Sequence, residues 1–131
     1  MAADSPPTPS PRKLLIIDDE QKICSLLSQY FSMKGYEVRV VYRGEEAIAL
    51  LGAFRPDVVL LDLLMPGMSG VDTLKQLKQL DPPPRIIMLS AADHEHVAKG
   101  SIELGADFYV CKPPDLAQLD RLMKGFWPSP K

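Results

Sequence analysis

The chain has 131 residues, 46% of them hydrophobic, enough for one compact core with no room for a second domain of ordinary size. Its net charge of −2, with Lys and Arg scattered rather than striped, argues against direct nucleic-acid binding. No apolar stretch approaches the roughly 18 residues of a membrane span and the N-terminus lacks a secretory pattern, so a soluble, cytoplasmic protein without membrane contact is expected.

In chain order, residues 1–12 read as a flexible leader, because Pro6, Pro7, Pro9 and Pro11 among small polar residues bury too little apolar surface to order themselves. A folded unit is expected over 13–126. The segment 127–131, Trp127-Pro128-Ser129-Pro130-Lys131, reads as a linker start or ragged C-terminus that a further domain could follow. Within the unit, short apolar runs alternate five times with helix-period segments. The first strand is 14–17. A helix begins near Glu20 with the stripe Ile23, Leu26, Leu27, Tyr30 and Phe31, and Gly35 is placed to end it. Val38, Val40 and Val41 mark the second strand, and 45–53 a second helix stopped by Arg55-Pro56. The third strand is the apolar run Asp57-Val58-Val59-Leu60-Leu61, bounded by Pro56 and closed by Asp62 before the Pro66-Gly67 turn signal. Val71, Leu74 and Leu77 stripe a third helix, and Pro82-Pro83-Pro84 leads into a fourth strand, 85–89, ending at Ser90. The spacing predicts a fourth helix over 95–104 stopped by Gly105, a fifth strand over 108–111, and a last helix over 115–126. Cys24 and Cys111 lack metal or disulfide spacing and are expected in the core.

Strict alternation with apolar strands argues for an α/β fold, a doubly wound parallel sheet covered by helices on both faces, with right-handed crossovers. Sites in such sheets form beyond the carboxyl ends of the strands. Those ends carry Asp18-Asp19-Glu20, Asp62, Ser90 and Lys112-Pro113, which parallel strands would gather at one edge. Clustered carboxylates repel unless a cation neutralises them, and an oxygen-rich set without His or Cys suits Mg²⁺, with Mn²⁺ as a substitute. Lys112 offsets more charge and Ser90 offers a hydroxyl to an anion. A carboxylate needs no general base at pH 7, so Asp62 is expected to attack phosphorus directly and form an aspartyl phosphate. Glu20 suits a solvated position at the positive end of the first helix.

Ile16-Ile17-Asp18-Asp19-Glu20, the segment from Leu61-Asp62 to Ser69-Gly70, Leu89-Ser90-Ala91, and the run from Gly105 to Lys112-Pro113 closely resemble the receiver domain of two-component response regulators. The resemblance implies a five-stranded flavodoxin-like (βα)5 sheet of order 2-1-3-4-5 and phosphoryl transfer from a histidine kinase or phosphotransfer protein to Asp62. It further implies that Asp18, Asp19, Asp62 and the Leu64 backbone carbonyl serve Mg²⁺, that Ser90 and Lys112 hold phosphoryl oxygens, and that the Lys112–Pro113 bond is cis. Tyr109 matches an aromatic switch position coupled to Ser90. Phosphorylation would shift the surface of the fourth helix, fifth strand and last helix toward a homodimer, an output domain or a partner protein. Such a unit is a signalling domain rather than an enzyme, catalysing just its own phosphoryl transfer and slow dephosphorylation.

Two other functions compete. An aspartate-nucleophile phosphatase would need a second Asp two residues after the nucleophile, where Leu64 stands. A receiver that only binds, independently of phosphorylation, typically loses an acidic or Lys position, and all are retained here. Leu64 and Ala92 are apolar where polar side chains in relatives position or obstruct water, so slow loss of the phosphoryl group is expected. Pro114 stiffens the approach to the last helix. His94 and His96 read as solvated residues, and Gly67 and Gly70 as turn glycines.

Overall fold

The structure, a computed structural model, describes residues 12–65, 67–91 and 94–127. The leader 1–11, Pro66, Ala92, Asp93 and the tail 128–131 lie outside the described residues. The elements are β1 (Lys13–Ile17), α1 (Gln21–Met33), β2 (Glu37–Val41), α2 (Gly44–Leu50), β3 (Val58–Asp62), α3 (Gly70–Leu77), β4 (Arg85–Ser90), α4 (Glu95–Glu103), β5 (Phe108–Cys111) and α5 (Leu116–Lys124). The five strands form one sheet in the order β2-β1-β3-β4-β5, every pair parallel, as the alternation and the resemblance implied. Among the described residues no helix is long and apolar enough to cross a membrane.

Successive residues of a strand face opposite sides, and that period sorts the core into two layers. Leu15, Ile17, Val59, Leu61, Ile86 and Met88 face one side, where α2, α3 and α4 close over them with Ala47, Leu74, Leu77 and Ala98. Leu14, Ile16, Val58, Leu60, Ile87 and Leu89 face the other, against Cys24, Leu27 and Phe31 of α1 and Leu119 and Met123 of α5. The central strands β1, β3 and β4 are therefore buried on both faces, apart from Lys13 and Arg85 at their amino ends. The edge strands differ: β2 has no fully buried residue and β5 has one, Val110.

Several sequence expectations are corrected by this packing. The buried line of α1 is Cys24, Leu27 and Phe31, flanked by Ile23 and Tyr30, while Leu26 is half exposed, because the helix is turned slightly from the orientation its apolar stripe suggests. Cys111 is exposed rather than in the core, since it ends an edge strand, whereas Cys24 is buried as expected. Trp127, read as part of a tail, packs on the core formed with α1 and α5, edge-on to Tyr36 and Phe126, with the Arg12 guanidinium 4.0 Å above its ring. Helix α2 ends at Leu50, with the predicted last residues 51–53 in a turn.

Helix starts at the working edge are capped by side chains: Ser69 accepts from the Asp72 amide for α3, and Asp115 from the Gln118 amide for α5. Gly70 also has a steric reason to be glycine, because a Cβ there would collide with the carbonyl oxygens of Asp62 and Leu63. Its own amide donates to Leu63 O at 3.0 Å, so α3 begins directly against the end of β3.

Candidate functional site

Backbone hydrogen bonds continue past the ends of the ladders and hold the polar residues in place. Asp18 N donates to Val41 O at 3.2 Å, Leu63 N to Leu89 O at 2.9 Å, and Lys112 N to Ser90 O at 2.8 Å. In register, Ile17 pairs with Leu61, Asp62 with Leu89 and Ser90 with Cys111, so Asp18, Asp62, Ser90 and Lys112 leave their strands at one level. Asp62 and Lys112 open onto a cleft of about 270 Å³ whose walls also include Asp19, Glu20, Leu64 and His94, while Asp18 and Ser90 are buried behind it.

Lys112 Nζ lies at the centre of the charge. It is 2.7 Å from Glu20 Oε1, 2.9 Å from Asp18 Oδ2 and 3.2 Å from Asp62 Oδ1. Asp18 is fully buried and Asp62 nearly so, while Asp19 is exposed. Asp18 Oδ1 accepts from the Glu20 amide at 2.9 Å, and its main-chain oxygen accepts from the Cys24 thiol at 3.2 Å. The contact between Asp18 Oδ2 and Nζ is close but poorly directed, and that buried oxygen has no hydrogen-bond partner. Carboxylate oxygens of Asp18, Asp19 and Asp62 lie within 4.8 Å of one another. An oxygen-only set containing a buried, unpartnered carboxylate oxygen fits a hard divalent cation.

Burial, followed by the neighbouring Asp18 charge, raises the Asp62 carboxyl from 3.8 to about 7, against the lowering effect of Lys112. The direction agrees with the expectation that clustered carboxylates resist joint ionisation until a cation neutralises them. Burial alone would lower the Lys112 ammonium, but its hydrogen bond to Glu20 and the close carboxylates of Asp18 and Asp62 outweigh burial, and its pKa is raised. Burial, reinforced by Asp18, pushes the Cys24 thiol up to about 12.

The remaining residues named from sequence take distinct places. Ser90 is buried at the end of β4, its hydroxyl donating to Ala91 O at 2.9 Å rather than to a group in the cleft. The Tyr109 hydroxyl donates to Glu95 Oε1 on α4 at 3.3 Å. The Lys112–Pro113 bond is cis, as the resemblance implied, and so is Asp81–Pro82, which was not expected. The Leu64 side chain is half exposed at the cleft. His94, read as solvated, is half-buried on the cleft wall, whereas His96 is exposed. Sequence reasoning missed the direct pairing of Glu20 with Lys112. The signal was the third acidic residue in a row, which a helix-end position explained equally well.

The model of the response regulator receiver domain matches residues 14–124. The chain is 44% identical over 101 residues to the transcriptional regulatory protein CpxR of Klebsiella pneumoniae, covering 77% of this chain and 43% of the relative, so it spans less than half of that protein's length. It is 35% identical over 116 residues to sporulation initiation phosphotransferase F of Bacillus subtilis, covering 88% of this chain and 94% of the relative. A solved CheY-like receiver domain protein of Methanospirillum hungatei superposes with a TM-score of 0.83 at 27% identity, covering 89% and 94% of the two chains. With a site of this composition at the carboxyl edge of a 2-1-3-4-5 sheet, the chain belongs to the response regulator receiver domain family of two-component signalling.

Proposed function

We propose that Asp62 is the phosphoacceptor of this receiver domain, taking a phosphoryl group from the phosphohistidine of a histidine kinase or phosphotransfer protein. The observation that carries this reading is the meeting of Lys112 Nζ with Asp18 and Asp62 at 2.9 and 3.2 Å, on the wall of an open cleft. An Asp62 carboxylate oxygen attacks phosphorus, the donor's P–N bond breaks, and its electron pair returns to the imidazole. Asp18, Asp19, Asp62 and the Leu64 carbonyl would hold Mg²⁺ or Mn²⁺, which when bound keeps Asp62 ionised and screens charge on both reactants. Lys112 supplies a cation for a phosphoryl oxygen. Ser90, at the neighbouring strand end, exchanges its bond to Ala91 O for one to the phosphoryl group.

That exchange draws on the α4–β5–α5 surface, where Tyr109 meets Glu95 of α4. The result is a population shift toward a surface read by an output domain, a partner protein or a second copy of the chain. The protein acts as a cytoplasmic signalling switch over residues 13–126, with no catalytic turnover beyond its own phosphorylation and slow dephosphorylation. Transcriptional regulation and phosphotransfer, named for the two relatives, are compatible downstream roles.

Incubation with acetyl phosphate and Mg²⁺ should add one phosphoryl group, acid-stable and base-labile, that Asp62→Ala abolishes without loss of fold. Labelling that persists in Asp62→Ala, or sustained turnover of phosphomonoesters, would overturn the reading.

A further inference from the structure

Lys112 spends its directed hydrogen bond on Glu20, 2.7 Å away. Its ammonium carries three protons, and three carboxylate oxygens sit on it, from Glu20 at 2.7 Å, Asp18 at 2.9 Å and Asp62 at 3.2 Å. A phosphoryl oxygen arriving on Asp62 must compete with these carboxylates for the ammonium, and most directly with the one already hydrogen-bonded to it. They are not equally free to leave. Asp18 is fully buried and tied to the Glu20 amide, and Asp62 is the group being modified. The Glu20 side chain is 55% exposed, stands at the N-cap of α1 without a capping hydrogen bond, and lines the cleft. Yet it makes the shortest of the three contacts. Turning it into solvent exchanges one exposed ion pair for hydration, which costs little, whereas turning Asp18 away would strand a buried charge.

We propose that Glu20 is an internal counterion that competes with the phosphoryl group for Lys112, stepping aside on phosphorylation and returning when the phosphoryl group leaves. It is a positioning residue acting through Lys112, and its role rests on Asp62 being the phosphoacceptor. No proton changes hands: an N–H···O contact to a carboxylate is replaced by one to a phosphoryl oxygen. The carboxylate holds down reaction with small donors. A protein donor, whose docking contributes binding energy away from the reacting atoms, overcomes the same competition.

The test is Glu20→Gln in the full chain, with acetyl phosphate as donor at saturating Mg²⁺ and beryllofluoride as a phosphoryl mimic that cannot be transferred. Labelling of Asp62 should accelerate about fivefold, the scale of one exposed ion pair, and beryllofluoride should bind about fivefold more tightly. Mg²⁺ affinity, measured calorimetrically without either ligand, should stay within about twofold of wild type, since the clustered metal oxygens belong to Asp18, Asp19 and Asp62. In a Lys112→Met background the same substitution should have no effect on labelling. Unchanged or slower labelling overturns the proposal. A gain that survives in Lys112→Met overturns it as well, because the effect would then be general repulsion of the donor. A fall in Mg²⁺ affinity overturns it in favour of a role on the metal. Absence of label at Asp62 in both wild type and Glu20→Gln overturns the phosphoacceptor reading, and this proposal with it.

Discussion

The two ends of the sheet treat charge in opposite ways. At the amino ends, charged groups lie at the surface and are paired: Asp57 accepts from the Lys13 amide at 2.8 Å, and Asp107 accepts from the Ile86 amide at 2.8 Å and the Arg85 guanidinium at 3.1 Å. At the carboxyl ends, carboxylates are drawn inward around Lys112, and a buried Asp18 oxygen is left without a hydrogen bond. One end fastens strands together, and the other holds electrostatic cost that a cation and a phosphoryl group can relieve. Substitutions at the first should therefore cost stability and leave chemistry alone, while substitutions at the second should disable chemistry and, where they relieve that cost, add stability.

The largest expected effect is on chemistry. Lys112→Met should slow Asp62 labelling by acetyl phosphate by about 10²-fold or more, the scale of removing one group that stabilises developing charge. Unaltered labelling would erase the distinction between the two ends.

Next comes the stability that the site gives up. Because the folded-state pKa of Asp62 is raised from 3.8 to about 7, the folded state holds this proton more tightly than the unfolded chain. Its contribution is fully present below about pH 4 and is lost as pH rises through about 7. In metal-free protein, Asp62→Asn should therefore be more stable than wild type at pH 8, by about 2–4 kcal/mol, with the advantage vanishing near pH 4. Urea melts across this range in the presence of a chelator measure it. Added Mg²⁺ should raise the wild-type midpoint more at pH 8 than at pH 5.

Smaller effects belong to the amino end. Asp107→Ala, which removes both the Ile86 amide contact and the Arg85 ion pair, should cost about 1–2 kcal/mol in a urea melt without altering the labelling rate. Arg12→Ala should cost about 0.5–1 kcal/mol by removing the cation over the Trp127 ring. A change in labelling from either substitution would mean that the two ends are coupled through the sheet.

The residues of the site were legible because they sit where apolar runs stop. A buried strand imposes composition along its length, so Asp18, Asp62, Ser90 and Lys112 stand out as departures from it. Side-chain choices made after folding left weaker traces. The pairing of Glu20 with Lys112 joins residues 92 positions apart through two long side chains, and nothing local distinguishes it from a solvated helix-end carboxylate. The raised Asp62 carboxyl follows from burial and the approach of Asp18, a direction that the expected clustering of carboxylates at buried strand ends already implied. Helix α1 was misphased because Leu26 and Cys24 are both plausible members of an apolar stripe, and packing on the sheet selected Cys24. The edge position of β5 follows from strand order, so the exposure of Cys111 could not be read from the strand's own composition. Trp127 was obscured by the prolines after it, although its ring lies against Tyr36 and Phe126.

The contrast between the two cysteines gives the molecule a built-in attachment point. Cys24 is buried, tied through its thiol to the Asp18 carbonyl, and shifted up to about 12, so it should remain inert to alkylating reagents at neutral pH. Cys111 is exposed and immediately precedes Lys112. A maleimide dye added to the unmodified chain should therefore settle on one position, beside the strand end where the proposed phosphorylation of Asp62 would change the charge. The sequence can thus carry an optical reporter of the proposed switch, with no cysteine added or removed.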